Sequence, residues 1–557
     1  MPANDSPRRI ADRIHFGVIA AATRRGAAGF ALVLAFAPRV TAAAAPDSLA
    51  LDGRIVRHVE IDARSIFDPL PARGRALYAF VNRLHVLTRA RTLRSAFVFH
   101  EGRPYSEAQR QETERHLRAL EFVLPDTVQA IPVGNDSVDV RVVTHDNWTT
   151  SPEFSAEGGG GQRFGSVALS ERNFLGMGTS LSLSYRSDVT GISRIARIED
   201  GELFGTHWQG GVTYGSKDGG SSRSVLLALP FWADDAPRLV TGFWSRDAYN
   251  LDLFANDSLV ATLPVLARSA DLAWGRGHRT AHGTIVRFVG TFEQADRDLG
   301  GVEVRAGAPA SLGGPPERIR SRRLLGEIQL KRPHYRVVRG VDHMDRDEDV
   351  DLGPSTALLA GFAPRALGSS ADEKYLRAQF GLGRDAGRYG FGRIHALTQA
   401  RLRQPENDAY SEVSGSWVHQ PRRDFASVLA VTGISGWHTQ RDFQLTLGGI
   451  SGLRGFPVHE LTGTREWRGN AELRWVAVRD VLRLVSLGGA AFWDAGRTYG
   501  VGATDRAWRQ DVGVGLRLSL PHSSVNAVAR FDVAWPIEPA WSRRHGPVYS
   551  FGSGQAF

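Results

Sequence analysis

From Ser151 onward the chain alternates apolar and polar side chains with period two, and this pattern constrains the fold more than any other feature. Ser180-Leu181-Ser182-Leu183-Ser184-Tyr185 sets its apolar residues on one face and its serines on the other. Gln444-Leu445-Thr446-Leu447 and Val514-Gly515-Leu516-Arg517-Leu518 repeat the pattern. Period-two alternation is the signature of strands with two unlike faces. A barrel wall needs that, with lipid outside and water inside, and so does a sandwich with its apolar face turned to a core. Past the N-terminus no stretch approaches the ~18 apolar residues of a transmembrane helix. Aromatic pairs at segment ends (Phe231-Trp232, Phe243-Trp244, Phe492-Trp493) suit interfacial girdles and favour the membrane. At roughly 25 residues per strand and connection, the stretch from Ser151 to Phe557 yields about sixteen strands, an even number. The expectation is a mostly β protein, a 16-stranded antiparallel transmembrane barrel over 149–557.

Two segments precede it. Arg24-Arg25, an apolar run from Gly26 to Ala37 and the small residues Ala42 to Ala45 read as an export signal over 1–45. A small α+β domain is expected over 46–148. Arg54 to Asp62 alternates as a half-buried strand. Arg75 to Thr88 reads as a helix with Leu77, Phe80, Val81, Leu84 and Leu87 on one side. Ser106 and Gln109 form a capping-box pattern before a second helix. Thr127 to Ile131 pairs with Val138 to Thr144 across Gly134-Asn135-Asp136. Asn147-Trp148 marks the passage into the barrel, with Trp148 as an anchor or packing residue.

Composition narrows the chemistry. With no cysteine among 557 residues there are no disulfides, thiolate metal sites or cysteine nucleophiles. The net charge of +9 is spread among strand-like segments rather than gathered in a block, which argues against nucleic acid as a partner. None of the 17 histidines falls in a compact metal-ligand pattern, and Gly433-Ile434-Ser435-Gly436 has the wrong spacing for a nucleophile elbow. A non-enzymatic protein without cofactor or metal is expected.

Several segments resemble the outer-membrane assembly and translocation superfamily, the BamA/TamA group also called bacterial surface antigens. They are Glu171 to Gly178 (ERNFLGMG), Leu453-Arg454-Gly455-Phe456, Gly469 to Leu473 (GNAEL), Phe492 to Gly496 (FWDAG) and Phe551 to Phe557 (FGSGQAF). The front domain is similar to a POTRA domain, notably across Glu101 to Ser106 (EGRPYS). The resemblance implies an outer-membrane location with the front domain in the periplasm, and a role in inserting or exporting proteins. The implied partners are outer-membrane lipids, unfolded or secreted clients, and periplasmic chaperones or a dedicated accessory protein. It departs from the better-known members in having room for one front domain rather than several.

Three groups of residues stand out as candidate sites. Arg454 lies in a long polar connection, about 450–466, and in isolation reads as a solvated loop arginine. Glu472 and Asp494 sit in alternating strands at phases set against Leu473 and Phe492, so both are expected to face the lumen. An arginine folded inward would meet them, and its planar fork suits paired carboxylates. The resemblance implies the same inward loop, with Gly455 and Phe456 at its tip. In a wet lumen such a pair contributes only ~1 kcal/mol. The second group is the seam between first and last strands, where Gly158, Gly159, Gly552 and Gly554 weaken pairing; Gly158 to Gly161 also reads as a plain turn. The resemblance implies an edge that parts to template client strands. The third is the terminal pattern of Tyr549, Phe551 and Phe557, in phase on one face of the last strand. Two functions remain open: an insertion or translocation factor that captures clients by strand addition, and a transport pore or structural barrel serving one secreted protein or lipid.

Overall fold

The computed structural model describes residues 51–555 apart from 73, 160–161, 189–190, 218–219, 256–257, 306–314, 404–406, 439–442, 450–451, 504–505, 525–527 and 538–545. The expected export signal and Phe557 lie outside the described residues. Two compact units divide between Asp146 and Asn147.

The first unit is a three-stranded sheet with helices. Ile55–Arg64 pairs in parallel with Ser137–Asp146, and Val123–Val133 pairs antiparallel with that same central strand. Val138, Val140 and Val142 of the central strand are fully buried among Val56, Leu93, Phe99, Tyr105 and Leu117. The helix Glu107–Ala119 begins after Ser106, yet Ser106 makes no side-chain cap; Asp52 takes the backbone N–H of Glu107 instead, at 2.7 Å. The helix Arg75–Leu84 buries Tyr78 and leaves Leu77, Phe80 and Leu84 exposed, so the apolar side read from the sequence is its outward side.

The second unit is a closed antiparallel barrel. Its wall has twenty strands among the described residues, which corrects the expectation of sixteen. The short piece Glu303–Val304 pairs with the same neighbour as Ile285–Leu299 and continues that strand rather than adding one. The estimate failed because connections such as Arg422 to Phe425 are tight turns. The saved length makes extra strands and a few long excursions. One alternating segment taken as wall is not wall: Leu445–Leu447 pairs with Leu461–Gly463 in an inward hairpin, where Leu447 is fully buried.

The wall shows the two-faced chemistry that the alternation requires. Leu183, Val212, Leu272, Leu358 and Leu516 are among its exposed apolar side chains. Among the intervening positions are buried polar and charged groups, including Asp296, Arg323, Gln399, Asp494 and Arg517. An apolar exterior around a polar interior is stable only with hydrocarbon outside.

Candidate functional site: the lumenal ion cluster and the seam

Four consecutive wall strands build the cluster. On Arg465–Val481, Trp467, Leu473 and Trp475 point outward, whereas Asn470, Glu472 and Arg474 are buried on the inner face. Val485–Tyr499 presents Phe492 and Asp494 inward and Trp493 outward. Phe492 therefore shares a face with Asp494, two residues away, and does not oppose it as the sequence reading had it. Arg509–Ser519 adds Asp511 and Arg517, and Val528–Pro536 adds Arg530 and Asp532. Register brings these groups to one height: Asn470 stands opposite Asp494, Glu472 opposite Phe492, and Asp494 opposite Asp511.

Arg454 reaches this cluster from the connection between Phe425–Trp437 and Arg465–Val481. Its Nε donates to Asp494 Oδ2 at 2.8 Å and its Nη2 to Asp494 Oδ1 at 2.9 Å, a bidentate fork. Nη1 donates to Glu472 Oε2 at 2.8 Å and lies 3.5 Å from Asp532 Oδ2. The guanidinium carbon sits 3.3 Å from the centroid of the Phe492 ring, a cation–π contact. Asn470 Nδ2 donates both to Asp494 Oδ1 (2.8 Å) and to the carbonyl of Gly452 (2.9 Å), tying wall to loop backbone. Arg517 donates to Asp532 at 2.6 Å and Arg474 to Glu472 at 2.9 Å.

Arg454 is 2% exposed, and Glu472 and Asp494 are 2% and 0% exposed. Burial changes the energetics assumed for a wet lumen. A buried pair gains little net stability over an apolar replacement, but removing one partner strands the other charges at about 3–5 kcal/mol.

The loop tip is shaped for this approach. A Cβ on Gly455 would lie 2.5 Å from Asp511 Cβ and 3.1 Å from the backbone nitrogen of Pro536, so only glycine passes. Phe456 is buried with Leu447, Leu453 and Leu461 in a small apolar cluster within the loop itself. At the loop's base, Phe254 stacks on His459 at 3.9 Å and exchanges two backbone hydrogen bonds with the Gln444 side chain.

A second inward element escaped the sequence reading. Tyr335–Arg339 and Asp347–Asp351 form a hairpin between wall strands Glu317–Lys331 and Ser355–Ala363. It opens at the rim where the first wall strand begins, opposite to the rim that bears the Arg454 loop. Glu348 accepts the backbone N–H groups of Val341, Asp342 and His343 at 3.0–3.1 Å and so fixes the turn. Val338, Val341 and Val350 pack on Phe391, Val418 and Val428 of the wall. Across the mouth, Arg479 donates to the Met344 carbonyl (2.6 Å) and Arg346 to the Ser523 carbonyl (2.6 Å). Arg474 joins the two inward elements, since it bonds Glu472 and also donates to the Val341 carbonyl at 2.8 Å. The signal was visible in the acid-rich run Asp342 to Asp351, which no lipid-facing wall would carry.

The seam is the third feature. Thr150–Gly159 pairs along its whole length with Gln162–Phe174, from Thr150–Glu171 to Gly159–Gln162. Toward the last strand, Val548–Ser553, it pairs at three positions among the described residues: Tyr549–Gly158, Ser550–Glu157 and Phe551–Ala156. Gly552 lies opposite Arg530 in the last wall pairing, and Gly554 closes the strand at φ +81°. Tyr549 faces outward, 48% exposed, and Phe551 shares its face. Below the seam Trp148 takes over: its N–H donates to the His522 carbonyl (2.6 Å) and its carbonyl accepts from Ser524 N–H (2.7 Å).

A closed wall with an arginine-clamped inward loop and a short seam defines a class of outer-membrane β-barrel. Residues 426–557, the last six wall strands with the inward loop, match the Omp85 superfamily domain. No curated protein sequence matches the chain. Among solved structures, it is similar to BamA from Haemophilus ducreyi lacking POTRA domains 1–3, at 14% identity and TM-score 0.41. That likeness covers 90% of this chain and 85% of the other. It is also similar to CdiB from Acinetobacter baumannii, at 11% identity and TM-score 0.46 over 91% and 74%. CdiB from Escherichia coli gives 13% identity and TM-score 0.45 over 91% and 77%.

Proposed function

We propose that this chain is a non-enzymatic outer-membrane factor that inserts or translocates client proteins, with its seam as the client-facing edge. The observation that carries the reading is the three-pair seam beside a fully paired first strand. On the side away from Gln162–Phe174, alternate residues between Thr150 and Ser155 turn their backbone groups to the seam, where no pairing with the last strand occurs among the described residues, and an unpaired edge templates an incoming strand. In this reading Arg454, Gly455 and Phe456 with Glu472 and Asp494 form a latch that holds the loop while the seam opens. The first unit is a POTRA-like periplasmic module that delivers extended clients. The Arg454 loop in the lumen and the hairpin bonded to Arg479 and Ser523 at the opposite rim favour this reading over a stably open pore.

A disulfide between Glu157→Cys and Ser550→Cys tests the reading, and the cysteine-free chain makes the cross-link unambiguous. Oxidation is expected to abolish insertion or secretion of clients, and reduction to restore it. Full activity of the oxidised form would refute the seam as the working edge.

A further inference from the structure

The first unit carries a surface that neither the latch nor the seam uses. On the helix Arg75–Leu84, Leu77, Phe80 and Leu84 follow at i, i+3 and i+7 and are 54%, 58% and 58% exposed. Val86 and Leu87 extend the stripe beyond the helix end, at 50% and 41%. Scattered exposed leucines need no explanation, but a contiguous stripe on one helix face does.

The charge around it is one-sided. From Pro69 to His100 the chain has arginine at 73, 75, 83, 89, 91 and 94, and neither aspartate nor glutamate. Arg75, Arg83, Arg89, Arg91 and Arg94 are all exposed. An apolar stripe within a stretch of sequence whose only charged residues are cations matches an anionic bilayer surface, where side chains enter the acyl boundary and guanidinium groups meet headgroup phosphates. The unit is tethered close to such a surface: its last residue, Asp146, stands four residues before Thr150, the start of the wall, which is about 14 Å of extended chain.

We propose that Leu77, Phe80 and Leu84, with the surrounding arginines, form a membrane-docking face that lays the first unit on the anionic leaflet next to the barrel. The docking restricts how the unit presents a client to the seam. The proposal rests on the outer-membrane location of the barrel and not on its client chemistry.

The test uses the full chain folded into phosphatidylcholine vesicles with or without phosphatidylglycerol. Phe80→Cys carries a polarity-sensitive fluorophore, with Leu84→Cys as a second position and Asn135→Cys, in the opposite-type exposed turn, as the control. Folding of the barrel is checked by heat-modifiable gel migration. With phosphatidylglycerol, the label at 80 is expected to shift to the blue and to be quenched severalfold more by lipid-borne nitroxide than by iodide. High salt, or Arg75→Glu combined with Arg83→Glu, is expected to reverse this while the label at 135 stays unaffected. A label at 80 and 84 open to iodide in every vesicle would overturn the proposal. Shielding from iodide without nitroxide quenching would overturn it too, because protein and not lipid would then cover the face. Neither result bears on the disulfide test of the seam.

Discussion

The two sides of this barrel that flank its C-terminal strand differ in how they are held. Toward lower residue numbers, strands 465–536 are paired over nearly their whole length, with register shifts confined to Val476 to Val481, and share a buried network in which Arg454 meets Glu472, Asp494 and Asp532. Toward the first strand, three residue pairs and the stitch at Trp148 complete the closure. The same backbone chemistry operates on both sides. The difference lies in side chains that reach across several strands and in where the last strand stops. A wall stiff on one side and thin on the other concentrates opening at a single place, and the comparison can be broken by weakening the stiff side or strengthening the thin one.

The largest effect is expected from Arg454→Ala. It leaves Glu472, Asp494 and Asp532 buried around a vacated cation, a loss of about 3–5 kcal/mol in loop docking. Limited proteolysis should cut the connection near residue 454 in the variant and not in the parent, with activity lost while the barrel still migrates as folded. Arg454→Lys should follow the alanine variant, because an ammonium cannot span the Asp494 fork and reach Glu472 together. A protected loop with normal activity in both variants would show that the clamp does not matter.

Gly455→Ala comes next. The added methyl would sit 2.5 Å from Asp511 Cβ, so the tip must back away, at about 1–3 kcal/mol. The same proteolysis assay is expected to show intermediate cutting. Phe492→Leu keeps apolar volume under the guanidinium and removes the ring face, for about 1 kcal/mol. A cut rate between those of the parent and Gly455→Ala is the expected result. An effect as large as that of Arg454→Ala would mean that the ring, and not the carboxylates, carries the clamp.

How much of this was legible in the sequence follows from what alternation encodes. It reports which face a side chain takes, so Glu472 and Asp494 were readable as lumenal and Arg454 as their partner. It does not report height, so Arg474, Arg517 and Asp532 were missed although their charge at inward phase was visible. Only the register of Arg509–Ser519 and Val528–Pro536 against their neighbours brings them level with the loop tip. Phe492 was given the wrong phase because an aromatic beside Trp493 was taken for the outward residue; the outward one is Trp493 itself. The strand number was misjudged because turn length is set by local residues that period-two counting ignores. The hairpin at 335–351 was legible and passed over: its strands, YRVVR and DEDVD, do not alternate as a lipid-facing wall does, and the acids from Asp342 to Asp351 run through its turn and second strand.

The smallest effect is expected on the thin side, from Gly552→Val. Gly552 lies in the last strand, and a Cβ there meets only the far end of the Arg530 side chain, at 3.6 Å, an ordinary contact. Valine favours the extended backbone and lowers the entropy cost that glycine incurs in a strand, so the last strand should gain about 0.5–1 kcal/mol. If thinness at the seam serves the function, this stabilising change should slow client insertion modestly while raising the temperature at which the barrel loses its folded migration. Both shifts are measured on one preparation. A barrel more stable but equally fast would separate seam strength from activity, and the contrast between the two sides would then describe architecture alone.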